Sequence, residues 1–425
     1  MTTRLRVERK FLGAMIGLVG LLALVTPALA GEDGFSFKSA DGSFAIRLRG
    51  VLQFDARFFN ADRNVPLTDT FDLRRVRPIL EGTVFQFYDF RFVPDFAEGK
   101  AVVQDAYLDA RFSKVTGLRI GKYKSPFGLE QLRADTDLGF VERALPTQLV
   151  PNRDLGVMFH GDPFRGILSY QIGVFNGVPD GSSADLDTNS GKDAEGRVFV
   201  QPFKSAGPRS LEGFGVGIAV TAGRNLGTVD SKGKVVATGL GGFRTFGQNT
   251  FFSYLLDSAF AAATSVIADG RRYRYSPQLY YYVGRFGLLA EYVRSSQEVV
   301  KGSLFGSIGN TAWQASAEVM LTSDKASYGG VSPTKPFDAA SKRIGAVALE
   351  FRYGRLTVDA GAFPVFADPT KSARGAVERG AGISWYLHRN FKFMTDYVWT
   401  TFDGGGATGD REDERALFSR FQLSF

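Results

Sequence analysis

The sequence predicts an all-β protein, an antiparallel transmembrane β-barrel. Three observations carry this. The stretch FAIRLRGVLQFDARFF holds a single alternating register over residues 44–59, well beyond the about five or six residues usual for a strand. After the first thirty residues, no apolar run reaches the about 20 residues that a membrane helix needs. The chain closes on ALFSRFQLSF, alternating up to its terminal phenylalanine.

In chain order, MTTRLRVERK is basic, FLGAMIGLVGLLALV is apolar and uncharged, and TPALA brings small residues at Ala28 and Ala30 before GEDG. This is the layout of a secretory signal peptide, residues 1–30, cleaved after Ala30. Its apolar core of about 15 residues is short for a bilayer of about 30 Å. Residues 31–425 then form one barrel domain. The whole chain carries a net charge of +7, and residues 1–30 hold four basic groups and one acidic group, which leaves +4. With no cysteine, neither disulfides nor thiolate metal sites are open to it. Gly (50 residues) and Phe (39) far outnumber Pro (16), a bias that suits strands and turns better than a helical core.

Within 44–59 the even positions are apolar or small, while the odd ones include Arg47, Arg49, Gln53, Asp55 and Arg57. Successive strand residues point to opposite faces, so one face is apolar and the other charged. Residues 75–81 repeat the pattern, with Arg75, Arg77 and Glu81 opposite Val76 and Leu80. A strand at 86–96 places Asp89, Arg91 and Asp95 together, and DAYLDARF places Asp105, Asp109 and Arg111 opposite Leu108 and Phe112. Further strands are expected at 118–124, 154–162, 166–175, 193–202, 212–223, 272–284, 286–296, 310–321, 343–353, 355–365, 375–387, 390–401 and 414–425. VGRFG, RYGR and LHRN read as tight turns. Longer polar connections are expected at 60–70, 125–153, 176–192, 224–250, 322–342 and 402–413. These strands number seventeen, whereas a closed antiparallel barrel with both termini on one side needs an even number. One strand is therefore split or missed, and 224–296 is the weakest stretch. Aromatic residues gather near strand ends at Phe58 and Phe59, Tyr280 to Tyr282, Trp385 and Tyr386, and Tyr397 and Trp399, as membrane-interface girdles require.

Little speaks for other classes. His160 and His388 lack the serine or acidic partners of a catalytic site, and no spacing suggests a metal centre, so no enzyme and no cofactor are expected. Nothing points to nucleic acid. A plugged transporter of about 22 strands would need a longer chain. GFGVG at 213–217 reads as a Gly-bearing strand. The charged run DREDER, 410–415, reads as a solvated loop or as a contact with the divalent cations of lipopolysaccharide.

Residues 71–177 resemble the phosphate-selective porin O and P family through RRVRPILEG, DFRFVPDF, VVQDAYLDARF, LRIGKYKSPFGLE, DLGFVERALP, RDLGVMFHGD and GVFNG. Weaker echoes follow in SPQLYYYVGRFGLLAEYV, AWQASAEVMLTSDKASYGG with its later KPF, and GISWYLHRNFKFMTDYV. The resemblance implies a sixteen-stranded barrel of the bacterial outer membrane, trimeric, set among outer-membrane lipid and lipopolysaccharide, that passes small anions such as phosphate by diffusion. It implies that 125–153 folds into the lumen and narrows it, with Lys122, Lys124, Arg133, Arg143 and Arg153 in or beside that block. The final strand ending in Phe425 is similar to the signature by which the barrel-assembly machinery recognises its clients. Charge and N–H donors are what an anion leaving water needs. Inward Arg47, Arg49, Arg57, Arg75, Arg77, Arg91 and Arg111 would extend such a basic track. The same face carries Asp55, Glu81, Asp89, Asp95, Asp105 and Asp109, so cross-bracing of the wall is an equally open role for each strand arginine.

Overall fold

The computed structural model describes residues 29–31, 34–60, 67–183, 186–187, 189–205 and 207–425. The expected leader, 1–30, lies outside them except for Leu29 and Ala30, which with Gly31 form a short strand against Gly34–Lys38.

Sixteen antiparallel strands close a barrel among the described residues: β1 Phe44–Phe59, β2 Thr70–Val84, β3 Tyr88–Asp95, β4 Val102–Ser113, β5 Thr116–Lys124, β6 Arg153–Gly161, β7 Leu168–Phe175 and β8 Asp193–Val200 in one half. The other half holds β9 Phe214–Leu226, β10 Ile267–Val283, β11 Phe286–Lys301, β12 Leu304–Met320, β13 Ala346–Thr357, β14 Ala373–His388, β15 Phe391–Gly406 and β16 Glu414–Ser424. Each pairs with the next, and β16 pairs with β1 from Ala416↔Phe59 to Ser424↔Val51, so no edge is left open to lipid.

Burial is inverted relative to a soluble protein. On β1, Phe54 is 39% exposed while its neighbour Asp55 is 0% exposed. The apolar face has no protein to cover it because lipid does, and the charged face is packed against the barrel's contents. Near the two ends, aromatic polar edges reach backbone or loop groups: Trp385 Nε1 donates to the Ile344 carbonyl (2.6 Å), and Trp399 Nε1 to Asp413 (2.9 Å).

The barrel settles the strand count. The expected strands 343–353 and 355–365 are one, β13, and RYGR is its interior rather than a turn. Its composition suggests a turn, but the ladder to β14 runs unbroken from Ala346↔Tyr386 to Thr357↔Gly375, and Arg352 is held inside by Glu130 and Glu378. The chain leaves the wall after Thr357 and turns through Ala360–Ala362. Among its described residues the stretch 224–296 adds no further barrel strand: β10 begins at Ile267, earlier than expected, and the short strands before it pair only with one another, Thr228–Val229 with Val235–Ala237 and Phe243–Arg244 with Thr250–Phe252.

The wall is uneven. Strands β3 and β5 to β8 have 8 or 9 residues each, whereas β10 to β12, β14 and β15 have 16 or 17.

Candidate functional site

The interior is built from inward side chains and from connections that fold in. Residues 125–152, between β5 and β6, cross to the far wall and dock there on carboxylates. Glu291 accepts from the Leu129 N–H (2.7 Å), Asp396 accepts from the Val141 N–H (2.6 Å), and Arg352 donates to Glu130 (2.8 Å) and to the Glu142 carbonyl (2.9 Å). Acidic groups of that wall are thereby consumed by backbone donors, which would otherwise be unsatisfied in a buried loop. On its other side the loop buries Phe127, Leu145, Leu149 and Val150 with Phe243, Phe251 and Phe252 of the β9–β10 connection and Phe366 of the β13–β14 connection. An apolar core thus sits inside a polar lumen. From the opposite end, the β12–β13 connection also enters: the Tyr328 hydroxyl donates to the Leu129 carbonyl (2.6 Å), and its ring stacks on Tyr280 at 4.9 Å.

Between these inserts and the short wall lies a cavity of about 620 Å³. Its lining includes Arg49, Arg77, Arg91, Arg119, Lys124, Arg153, Arg389 and Lys392 against Asp105, Asp135 and Asp137. Asp135 is the hub. It accepts from Arg77 and from Arg143 (2.6 Å), and Arg75 lies 3.4 Å away. Burial would push its carboxyl up, but Arg75, Arg143 and Arg77 together hold it well below the usual carboxylate range. Asp105 binds Arg153 (2.8 Å) and Arg91 (3.5 Å), and Arg91 also reaches Glu81. Lys124 Nζ donates to the Arg133 carbonyl (2.6 Å). Lys392 Nζ donates to the Leu138 carbonyl (2.8 Å) and the Thr136 carbonyl (3.1 Å). Asp137 stands apart, because burial raises its carboxyl from the ordinary value and outweighs the Thr136 hydroxyl and the charges of Lys392, Arg133 and Lys124.

Of the twelve residues singled out from the sequence, Arg49, Arg77, Arg91, Lys124 and Arg153 line this cavity. The other seven sit elsewhere. Arg57 belongs to a buried cluster with Asp55 (3.0 Å), Asp72 (3.2 Å) and Glu142 (3.5 Å), joined by Arg420 (2.6 Å to Asp55) and Arg74 (2.7 Å to Glu142). Arg75 and Arg143 hold Asp135 from behind. Arg133 lies over the Tyr328 ring at 5.4 Å and donates to the Asp137 carbonyl (2.5 Å). Arg47 and Arg111 sit toward the end where β1 begins and β16 stops, beside Glu81 (3.7 Å) and Asp89 (2.7 Å). Lys122 is buried in β5.

Four cationic residues escaped the sequence reading. Arg119 alternates with Leu118 and Ile120, and Lys392 with Phe391 and Phe393, so the period-two rule could have found both. Arg74 could not be found that way. The β1–β2 register shifts between Gln53 and Phe54, leaving Arg74 as the extra residue of a bulge and turning it to the same side as Arg75. Arg389 sits in the β14–β15 turn, which alternation does not orient. Elsewhere, His160 is braced by Asp109 (2.9 Å). The DREDER run is partly solvated, with Asp410, Glu412 and Arg415 exposed, and is tied down at two points: Arg411 donates to the Thr250 carbonyl (2.8 Å), and the buried Glu414 accepts from Asn249 (2.8 Å).

The model of the phosphate-selective porin O and P family matches residues 44–425. No curated protein matches the chain. Similar solved structures include the outer-membrane channel DcaP of Acinetobacter baumannii (TM-score 0.58, 11% identity, covering 92% of this chain and all of that one). An anion-selective porin from Comamonas acidovorans is comparable (TM-score 0.55, 11% identity, 90% of this chain and all of that one). So is the trimer form of OmpT, an outer-membrane protein of Vibrio cholerae (TM-score 0.53, 9% identity, 90% of this chain and all of that one). At such identity these likenesses speak for the barrel alone, while the family model covers all sixteen strands. The chain belongs to the phosphate-selective porin O and P family and is a porin of the bacterial outer membrane.

Proposed function

We propose that the porin passes small anions, phosphate and related oxyanions among them, by passive diffusion through the basic cavity. The observation that carries this is the lining, in which eight cationic side chains face three carboxylates. Each oxyanion oxygen leaving water meets guanidinium or ammonium N–H donors, and the low-dielectric wall focuses their field. Because Arg153, Arg91 and Arg77 are each already shared with a carboxylate, no single site binds tightly, which is what release demands. The anion-selective neighbour supports the direction of this selectivity.

The assembly we propose is a homotrimer, joined through the short wall. Strands of 8 or 9 residues tilted at about 40° stand about 20 Å tall, less than the apolar band of about 25 Å, so that wall needs protein cover. The trimer form among the similar structures supports it. Assembly machinery would read the final strand at Phe425.

Reversal potentials in KCl gradients across planar bilayers test the function. The expected sign is anion-selective, and Lys124→Glu with Arg153→Glu should reduce or invert it. A cation-selective wild type sinks the proposal. A weakly selective channel indifferent to both substitutions would mark a general diffusion pore.

A further inference from the structure

The outer face of the long wall carries a feature that conduction does not use. Tyr353, Arg379, Trp399 and Arg415 are successive register partners across β13, β14, β15 and β16, forming one rung of the lipid-facing surface. The Arg379 guanidinium lies over the Tyr353 ring (5.6 Å) and the Trp399 ring (5.4 Å), with the Thr401 hydroxyl at 3.4 Å. Arg415 approaches the same Trp399 ring at 5.6 Å. An arginine on this face is costly at bilayer mid-height and is tolerated near the headgroups. Outward residues of β14 run Arg379, Ala381, Ile383, Trp385, so Arg379 stands about 15 Å above the Trp385 ring, toward the end where β14 begins. That end bears the longer connections, which marks it as extracellular.

Below this rung lies a groove of about 450 Å³. Its floor is made by Ala315, Ala317 and Ala381, and its sides by Leu288, Phe351 and Tyr397. Small residues set between large ones leave an apolar slot, bordered by the Arg379 guanidinium on the side of the extracellular connections, with Arg415 against the same Trp399 ring.

We propose that this is a binding site for a phosphorylated glycolipid of the outer leaflet, its phosphate held by Arg379 and Arg415 and one acyl chain laid in the groove. Charge complementarity selects this occupant: a neutral or zwitterionic lipid fills the slot equally well but brings no net negative charge to the two guanidinium groups, whereas the phosphomonoester of a phosphorylated glycolipid does, and guanidinium–phosphate hydrogen bonding supplies the preference.

The test is native mass spectrometry of the folded protein in detergent, titrated with bisphosphorylated lipid A, with its dephosphorylated form and with phosphatidylethanolamine. Wild-type protein should retain the bisphosphorylated lipid at least tenfold better than the other two. Arg379→Glu with Arg415→Glu should abolish that preference, and Ala317→Trp should block retention, with single-channel conductance unchanged in every variant. Equal retention of phosphorylated and dephosphorylated lipid overturns the proposal, as does unaltered preference in the double arginine variant. A change in oligomeric state with Ala317→Trp and no change in lipid retention also overturns it, and would make the groove a contact between subunits.

Discussion

At the scale of single residues, ion pairing decides which charges an anion can feel. Asp135 and Asp137 are two residues apart and behave oppositely. Arg75, Arg143 and Arg77 hold Asp135 ionised well below the usual carboxylate range, whereas burial raises Asp137 from its ordinary value. Glu142 is likewise held low, because Arg74 and Arg420 outweigh its burial. For these depressed groups the stabilisation is complete above the unfolded value, about 4, and is lost only as pH falls through the lower folded value. Of these three loop carboxylates, Asp137 is the first to take up its proton as pH falls. Anion selectivity should accordingly rise as acidification neutralises Asp137 and the cavity loses one negative charge. In Asp137→Asn that step should be absent, with selectivity starting at its higher value. Reversal potentials across a pH series measure this; selectivity that falls with acid, or a variant that keeps the rise, would assign the titration elsewhere.

At the scale of elements, the inward connection of 125–152 is fixed by a few strong contacts rather than by regular structure, since its helical pieces Leu129–Leu132 and Leu145–Leu149 are single turns. Glu291 and Asp396 are its anchors on the far wall. Replacing both by alanine strips charged acceptors from buried N–H groups at a cost of about 1–3 kcal/mol each. The barrel has lipid and its ladders to hold it, so the loop should yield first. The expected result is a larger, flickering single-channel conductance from a protein that still shows the heat-dependent gel shift of a folded barrel. A quiet, wild-type trace would mean that the apolar packing around Phe127 and Leu149 holds the loop unaided.

At the scale of the whole molecule, closure depends on one seam. The Phe425 and Gly50 backbones exchange hydrogen bonds of 3.0 and 2.9 Å, and a Cβ on Gly50 would fall 2.7 Å from the Phe425 ring. Just below, Phe35 takes up pairing with Leu48, continuing the seam where β16 stops. Gly50→Val should force the ring aside, costing about 1–3 kcal/mol, and lower the temperature at which the folded barrel melts in detergent. An unchanged melting temperature would show that the ring swings away freely. The terminal phenylalanine is thus a structural stop as well as the proposed mark read during assembly.

The barrel and the identity of its charged face were legible in the sequence, because period-two alternation is a local property that survives without knowledge of any partner. That is why β1 was read to the residue, and Arg49, Arg77 and Arg91 were put on the correct face. RYGR misled because composition names a turn while the pairing of Arg352 with Glu130 and Glu378, set by residues 222 and 26 positions away, keeps the strand extended. Which basic groups face open space was likewise beyond the sequence. Arg57 and Arg91 look alike as inward arginines, yet the first is closed in by Asp55, Asp72 and Glu142 and the second borders the cavity. Alternation fixes only the face on which a side chain stands, whereas what it meets there depends on loops folding across the lumen from distant parts of the chain.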